Sequence, residues 1–261
     1  MPHNRRVPNG PAATPEPMSA PTSPSYQPLY LQIKSLLEAD LAAGEWLPAQ
    51  SIPSEHELAG RFGVSQGTVR KAIDALAADN VVVRRQGKGT FVATHTEETA
   101  SLVRFLRIRR DDGAAEQPAS RILDVRRARA GELAARLLEV KPGDAIFVLR
   151  RVLDYGGVPT VLDEITLPGA LFKGLTRAKI EAYRGSMYSF FETQFGVRIL
   201  KAQEKLRAIA ADPQSAQILG VAAGAPLLAV DRVTLTWGDR PVELRRGLCA
   251  TQTHHYLNEL G

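Results

Sequence analysis

Pro53-Ser-Glu-His-Glu-Leu-Ala-Gly-Arg-Phe-Gly-Val-Ser-Gln-Gly-Thr-Val-Arg-Lys-Ala-Ile-Asp-Ala-Leu76, followed shortly by Arg84-Arg-Gln-Gly-Lys-Gly-Thr-Phe-Val92, decides the fold of the first part of this chain. Ser54 and Glu57 stand in Ser-x-x-Glu spacing directly after Pro53. The serine hydroxyl can cap the third helical amide while the glutamate reaches back, so a helix is predicted to start there. Leu58, Ala59 and Phe62 give it an apolar side, and Gly63 can take the left-handed conformation that ends it. Ser65 caps a second helix, whose buried face is Val69, Ala72, Ile73, Leu76 and Ala77. Gln66, Arg70 and Lys71, with Gly67 and Asp74, fall on the opposite face.

Residues 82–85 then pair with residues 90–92 around Gln86-Gly87-Lys88-Gly89, the wing of a winged helix. No acidic residue occurs between Asn80 and Val92. Arg84, Arg85 and Lys88 are therefore expected to be free to neutralise phosphates. A basic helical face alone is usually only a solvated face. A helix-turn-helix spacing before it, a glycine in its first turn and a basic hairpin after it point together to double-stranded DNA.

Upstream, Tyr30, Ile33, Leu37 and Leu41 form the stripe of an amphipathic helix that Gly44 stops. Residues 1–27 are dense in proline, serine and alanine with almost nothing large and apolar to bury, which predicts a disordered tail. The 261 residues are enough for two domains, and the net charge of +5 is a modest bias toward a polyanionic partner. The lone Cys249 leaves neither an internal disulfide nor a cysteine pair for structural zinc. It reads as a small buried residue, and neither a metal nor a cofactor is expected. With no apolar run of spanning length and no secretory leader, a cytoplasmic protein without membrane contact is expected.

The block from Pro28 to Val92 resembles the DNA-binding domain of GntR-type bacterial transcription regulators, through Pro-Ser-Glu-x-Glu-Leu-Ala, Phe-Gly-Val-Ser-x-x-Thr-Val-Arg-x-Ala and the wing. The resemblance implies DNA contacts from Ser54, His56, Ser65, Gln66, Thr68, Arg70, Lys71, Arg84, Arg85, Gln86, Gly87 and Lys88. Many relatives carry arginine where this chain has His56 and Gln66, and those arginines read guanine. Glutamine is better matched to adenine, so a different operator is expected.

Residues 93–121 read as a polar linker, in which residues 102–108 alternate well enough for a strand. Beyond it lies a duplication: residues 135–152 overlie residues 216–233 at a constant offset of 81, each copy reading helix, glycine turn, strand and hairpin. The hairpin tips are Tyr155-Gly-Gly-Val-Pro159 and Trp237-Gly-Asp-Arg-Pro241, and Arg151 and Arg232 occupy matching places. Two pseudo-equivalent hairpins make an antiparallel sheet with a cleft between halves. The domains are therefore set at 1–27 (tail), 28–95 (winged helix-turn-helix), 96–120 (linker and first strand) and 121–257 (the duplicated sheet domain).

The last of these resembles the effector domain of the HutC branch of the same family, the UTRA domain, which shares its fold with chorismate lyase. It implies an α+β chain whose second domain is a mixed or antiparallel sheet with flanking helices. Family ligand contacts fall on Arg151, Asp163, Ser186 and Glu243, and either Arg150 or Arg245 can help Arg151 hold an anion. Arginine beside serine suits a carboxylate or phosphate, and the acids suit hydroxyls or an amine. Departures at Leu153, Cys249 and Thr253-His-His-Tyr256 separate this chain from relatives that take amino-sugar phosphates.

The function expected is a homodimeric transcription regulator, a repressor, that binds a palindromic double-stranded operator and responds to a small effector, a sugar phosphate or carboxylate. The alternatives are an enzyme on a chorismate lyase-like scaffold, for which the sequence offers no nucleophile with an adjacent base, and a constitutive DNA-binding protein.

Overall fold

The computed structural model describes residues 27–95, 107–114 and 116–258. Residues 1–26 of the expected tail, and residues 102–106 of the strand expected over 102–108, lie outside them.

Helix α1 (Leu29–Ala42) ends just ahead of Gly44, whose φ is +81°. Helix α2 (Glu55–Phe62) starts with both halves of the capping box: Glu57 N–H donates to Ser54 Oγ (3.3 Å), and Ser54 N–H donates to the Glu57 carboxylate (2.8 Å). Gly63 closes it at φ +64°. Ser65 caps helix α3 (Gln66–Ala78) by accepting from Thr68 N–H. Val69, Ala72, Ile73 and Leu76 of α3 pack with Ile33, Leu37, Leu41 and Leu58, while Ala77 is only partly buried. Strands β1 (Val82–Arg85) and β2 (Gly89–Val92) form the wing. Gly89 pairs with Arg85 inside the ladder, so the turn is Gln86–Lys88, one residue shorter than expected. Ser51 bridges Phe91 and adds a third short edge.

In the second domain a small ribbon pairs β3 (Ile108–Arg110) with β10 (His254–Tyr256). The main sheet has the order β4 (Ala119–Arg129), β5 (Ala145–Tyr155), β6 (Val158–Pro168), β9 (Pro241–Ala250), β8 (Pro226–Leu235), β7 (Lys201–Ala210). All its pairings are antiparallel, which resolves the mixed-or-antiparallel expectation. The duplication reaches further than the sequence suggests: β4, α4 (Glu132–Leu138), β5 and β6 repeat as β7, α7 (Pro213–Leu219), β8 and β9. The strand order reads the same outward from the β6–β9 seam. The hairpin tips differ: Gly156 and Gly157, both at positive φ, make a two-residue turn in the first copy, and a short 3₁₀ turn at Trp237–Asp239 makes the second.

The repeat exposes one strained position. The residue after α7 is Gly220 at φ +68°, and its counterpart after α4 is Glu139 at φ +53°. A side chain in the left-handed region costs roughly 1–2 kcal/mol, part of which glycine returns through its freer unfolded chain. Glu139→Gly is expected to stabilise by about 0.5–1 kcal/mol on those terms, read as a higher urea midpoint at unchanged slope. A lower midpoint contradicts it.

Between β6 and β7 the chain forms α5 (Arg177–Ala182) and α6 (Met187–Phe195). Phe190 and Phe191 of α6 sit with Phe172, Phe147, Leu149, Ile165 and Leu167 in one apolar cluster, which fixes the helix on the sheet. The two domains touch directly. Leu200 is buried in the winged-helix core with Trp237 against it, and buried Arg198 lies over Trp237 and donates through Nη2 to Val81 O (2.9 Å).

Candidate DNA-reading face and effector site

On the winged helix, Gln66, Arg70 and Lys71 are exposed on α3, and His56 is exposed on α2. Ser54 and Ser65 are occupied as helix caps, and Thr68 Oγ1 lies 2.9 Å from Ser65 Oγ. Gln86, Gly87 and Lys88 form the exposed wing tip, and Arg85 stacks over Phe91 (4.8 Å). Arg84 corrects an expectation. The absence of acids in its own segment does not leave it free, because Nη1 donates to Glu55 (3.1 Å) and Nη2 to Asp74 (2.7 Å), acids from α2 and α3. Glu55 also accepts from Arg70 Nε (2.9 Å) and from Gln66 Nε2 (3.4 Å). Partial burial pushes its carboxyl up, but the hydrogen bonds and charges of Arg70 and Arg84 outweigh that and hold it below the ordinary carboxylate range.

On the effector domain, inward-facing positions of five adjacent strands, β5, β6, β9, β8 and β7, carry charge. Asp163 accepts from Arg151 Nε (2.9 Å) and Arg245 Nη1 (3.4 Å), and Arg245 Nε donates to Glu243 (2.6 Å). Thr234 Oγ1 donates to the other Glu243 oxygen (3.2 Å). Arg232 donates to Glu204 (2.6 Å) and to the Tyr188 hydroxyl (3.1 Å), and the Tyr256 hydroxyl also donates to Glu204. Arginines 151, 232 and 245 thus balance acids 163, 204 and 243 inside the protein. Burial pushes the Asp163 carboxyl up, yet Arg245 and Arg151 hold it below its ordinary value. Burial and the Arg245 charge pull the Arg151 pKa down against Asp163, but a guanidinium remains charged at any physiological pH.

Two cavities flank this cluster. The larger, about 500 Å³, lies between β4, β5, α5 and the start of α6, and is lined among others by Ser120, Arg121, Arg151, Arg177, Arg184 and Ser186, with Glu181 as its one acid. The smaller, about 40 Å³, is lined by Asp163, Arg232 and Arg245 with Leu153, Cys249 and Tyr256. Of the expected ligand contacts, Arg151 and Ser186 meet at the large cavity, Asp163 and Arg245 border the small one, and fully buried Glu243 lines neither.

Matches to known families follow the same two-part division. The model of the bacterial regulatory proteins of the gntR family matches residues 29–92, and that of the UTRA domain matches residues 113–255. This chain belongs to the GntR family, with a UTRA effector domain. It is 31% identical to the transcriptional repressor NagR of Bacillus subtilis over 89% of this chain and 96% of that one. It is 28% identical to the histidine utilization repressor of Pseudomonas putida over 84% and 86% of the two chains. Among solved structures, the ligand-binding domain of a GntR-family regulator from Bordetella bronchiseptica matches with TM-score 0.58 and 47% identity, covering 60% of this chain and 98% of that one. The chain is accordingly a DNA-binding transcription regulator with an effector domain, and not an enzyme. No helix among the described residues is long and apolar enough to cross a membrane.

In this GntR regulator sequence reasoning overlooked Tyr188, Glu204 and Tyr256 in the buried cluster, and Arg121, Arg177 and Arg184 around the large cavity. It also overlooked Glu192, at the far end of α6 from Ser186. The Glu192 carboxylate accepts from His95 N–H and Thr94 Oγ1, each at 2.8 Å, where the chain leaves the wing. The His95 ring packs on Tyr188 (5.9 Å), and the Arg245 guanidinium lies over the same tyrosine (5.3 Å). Cys249 is buried, His254 packs edge-on against Tyr155, and no three potential metal ligands gather among the described residues.

Proposed function

We propose that the chain is a repressor that binds a palindromic operator as a homodimer and is released by a small anionic metabolite held at the large cavity. The observation that carries this reading is the span of α6. Ser186 at its N-terminus and Arg151 line the cavity, Tyr188 touches the buried charge cluster, and Glu192 at its other end holds the first residues after the wing. An anion that draws Ser186 or Arg151 toward itself acts on one end of a rigid helix whose other end sets the DNA reader.

Four arginines against one glutamate favour a phosphate or carboxylate, with Arg151 presenting a planar fork and Ser186 a hydroxyl. Arg245 Nη2, a buried donor with no hydrogen-bond partner among the described residues, supports a further polar contact beside the smaller cavity. The larger volume suits a ligand of sugar phosphate or dicarboxylate size. Two α3 helices would enter successive major grooves, with the wings on flanking phosphates. Gln66 fits adenine at the position where guanine is common in the family. The relatives' roles as repressors favour repression here.

Screening phosphorylated sugars against di- and tricarboxylates by thermal shift tests the effector assignment. Ligand at a hundred times its Kd stabilises by about 2.7 kcal/mol, which moves the midpoint by several degrees. No shift with any anion of the panel overturns the assignment.

A further inference from the structure

We infer that Glu55 is a positioning residue for base readout, a carboxylate that holds the Arg70 guanidinium by its Nε and so presents the Nη pair outward as a fixed fork. The inference rests on the DNA-reading role of α3.

Glu55 opens α2 and its side chain is only 15% exposed, whereas that of Arg70 is 57% exposed. Arg70 Nε donates to Glu55 Oε2 at 2.9 Å, and no other described residue accepts from Arg70. An arginine reads guanine through both terminal nitrogens at once, and that geometry requires the guanidinium plane to be fixed. A carboxylate engaged through Nε fixes the plane and leaves both terminal nitrogens available. An arginine without such a brace pays rotamer entropy on binding and takes phosphate and base alike. The other Glu55 oxygen engages Arg84 Nη1 of β1, so one carboxylate ties the reading helix to the wing. Its partly sheltered position and lowered proton affinity keep that brace charged at neutral pH.

A carboxylate on a DNA-facing surface also repels phosphate, so the two roles predict opposite results. If Glu55 only repelled, removing its charge would tighten binding to every duplex equally. If it positions Arg70, Glu55→Gln keeps non-specific affinity or raises it while specific affinity falls.

The experiment selects duplexes from a randomised library with the full-length wild type, then measures Kd for the selected duplex and a scrambled one with wild type, Glu55→Gln, Arg70→Ala and the double variant. The expected result is a roughly tenfold drop in the selected-to-scrambled ratio for Glu55→Gln, within the usual range for one base pair. Its selected sites should lose preference at a single position per half-site, and Glu55→Gln should have no further effect in the Arg70→Ala background. A ratio unchanged within twofold, or an equal loss on both duplexes, overturns the inference, with thermal midpoints confirming that each variant is folded. Failure of the wild type to enrich any site would instead overturn the DNA-reading role.

Discussion

Asp163→Ala is expected to cost roughly 3–5 kcal/mol of folding stability, because it removes one partner of a buried charge cluster and leaves the others in place. Asp163 is 2% exposed and is the acceptor for Arg151 at 2.9 Å; Arg245 retains Glu243, but Arg151 pairs with no other acid among the described residues. Gly247 lies directly across the ladder from Asp163, and a Cβ there would stand 3.1 Å from Asp163 Oδ1, so the strand packing is shaped around this carboxylate. The pH dependence has a definite sign. The folded pKa of Asp163 is lowered, so its contribution is present above the unfolded value of about 4 and is lost as pH falls through the lower folded value. Urea unfolding at pH 7 should show the full gap between wild type and variant, and the gap should narrow below pH 4. A loss under about 1 kcal/mol at pH 7 would place Asp163 among solvated pairs.

Buried ion pairs of this kind are poor sources of stability compared with apolar residues of the same volume. Their presence at the centre of the sheet, between two cavities and under Tyr188 of α6, fits a site that must offer charge to a ligand.

Local chemistry made much of this fold legible. The Ser54–Glu57 box, the Ser65 cap, Gly63 and the apolar spacing of α3 each act over a few residues, and each is where the sequence places it. The constant offset of 81 revealed the duplicated scaffold for the same reason: helix, turn and strand recur at fixed distances. Strands β4 and β7 escaped because they are the sheet's edges, with charged, largely exposed faces and no apolar alternation to mark them. The ion pairs escaped because they close over long separations. Arg84 reaches Glu55 across 29 residues, and the hydrogen bond from His95 N–H to Glu192 escaped for the same reason, spanning 97. The resemblance points to Arg151, Asp163, Ser186 and Glu243 as expected contacts, but only the packed sheet separates the two that line the large cavity from the one that is sealed.

The second large effect expected concerns transmission along α6. Glu192→Ala takes the acceptor from His95 N–H and Thr94 Oγ1 and removes the carboxylate from beside buried Arg198. The variant should still bind the selected duplex and still shift thermally with the anion. It should lose at least nine-tenths of the anion's effect on DNA affinity, because a ligand shifts an equilibrium only through its difference between states. Retention of the full anion effect would remove Glu192 from the coupling route.

The most direct test is the affinity of the full-length wild type for its own selected duplex, by fluorescence anisotropy, with and without the anion that gives the largest thermal shift. At least tenfold weaker binding in its presence, about 1.4 kcal/mol of coupling, is predicted. An affinity that no anion of the panel changes would contradict the account.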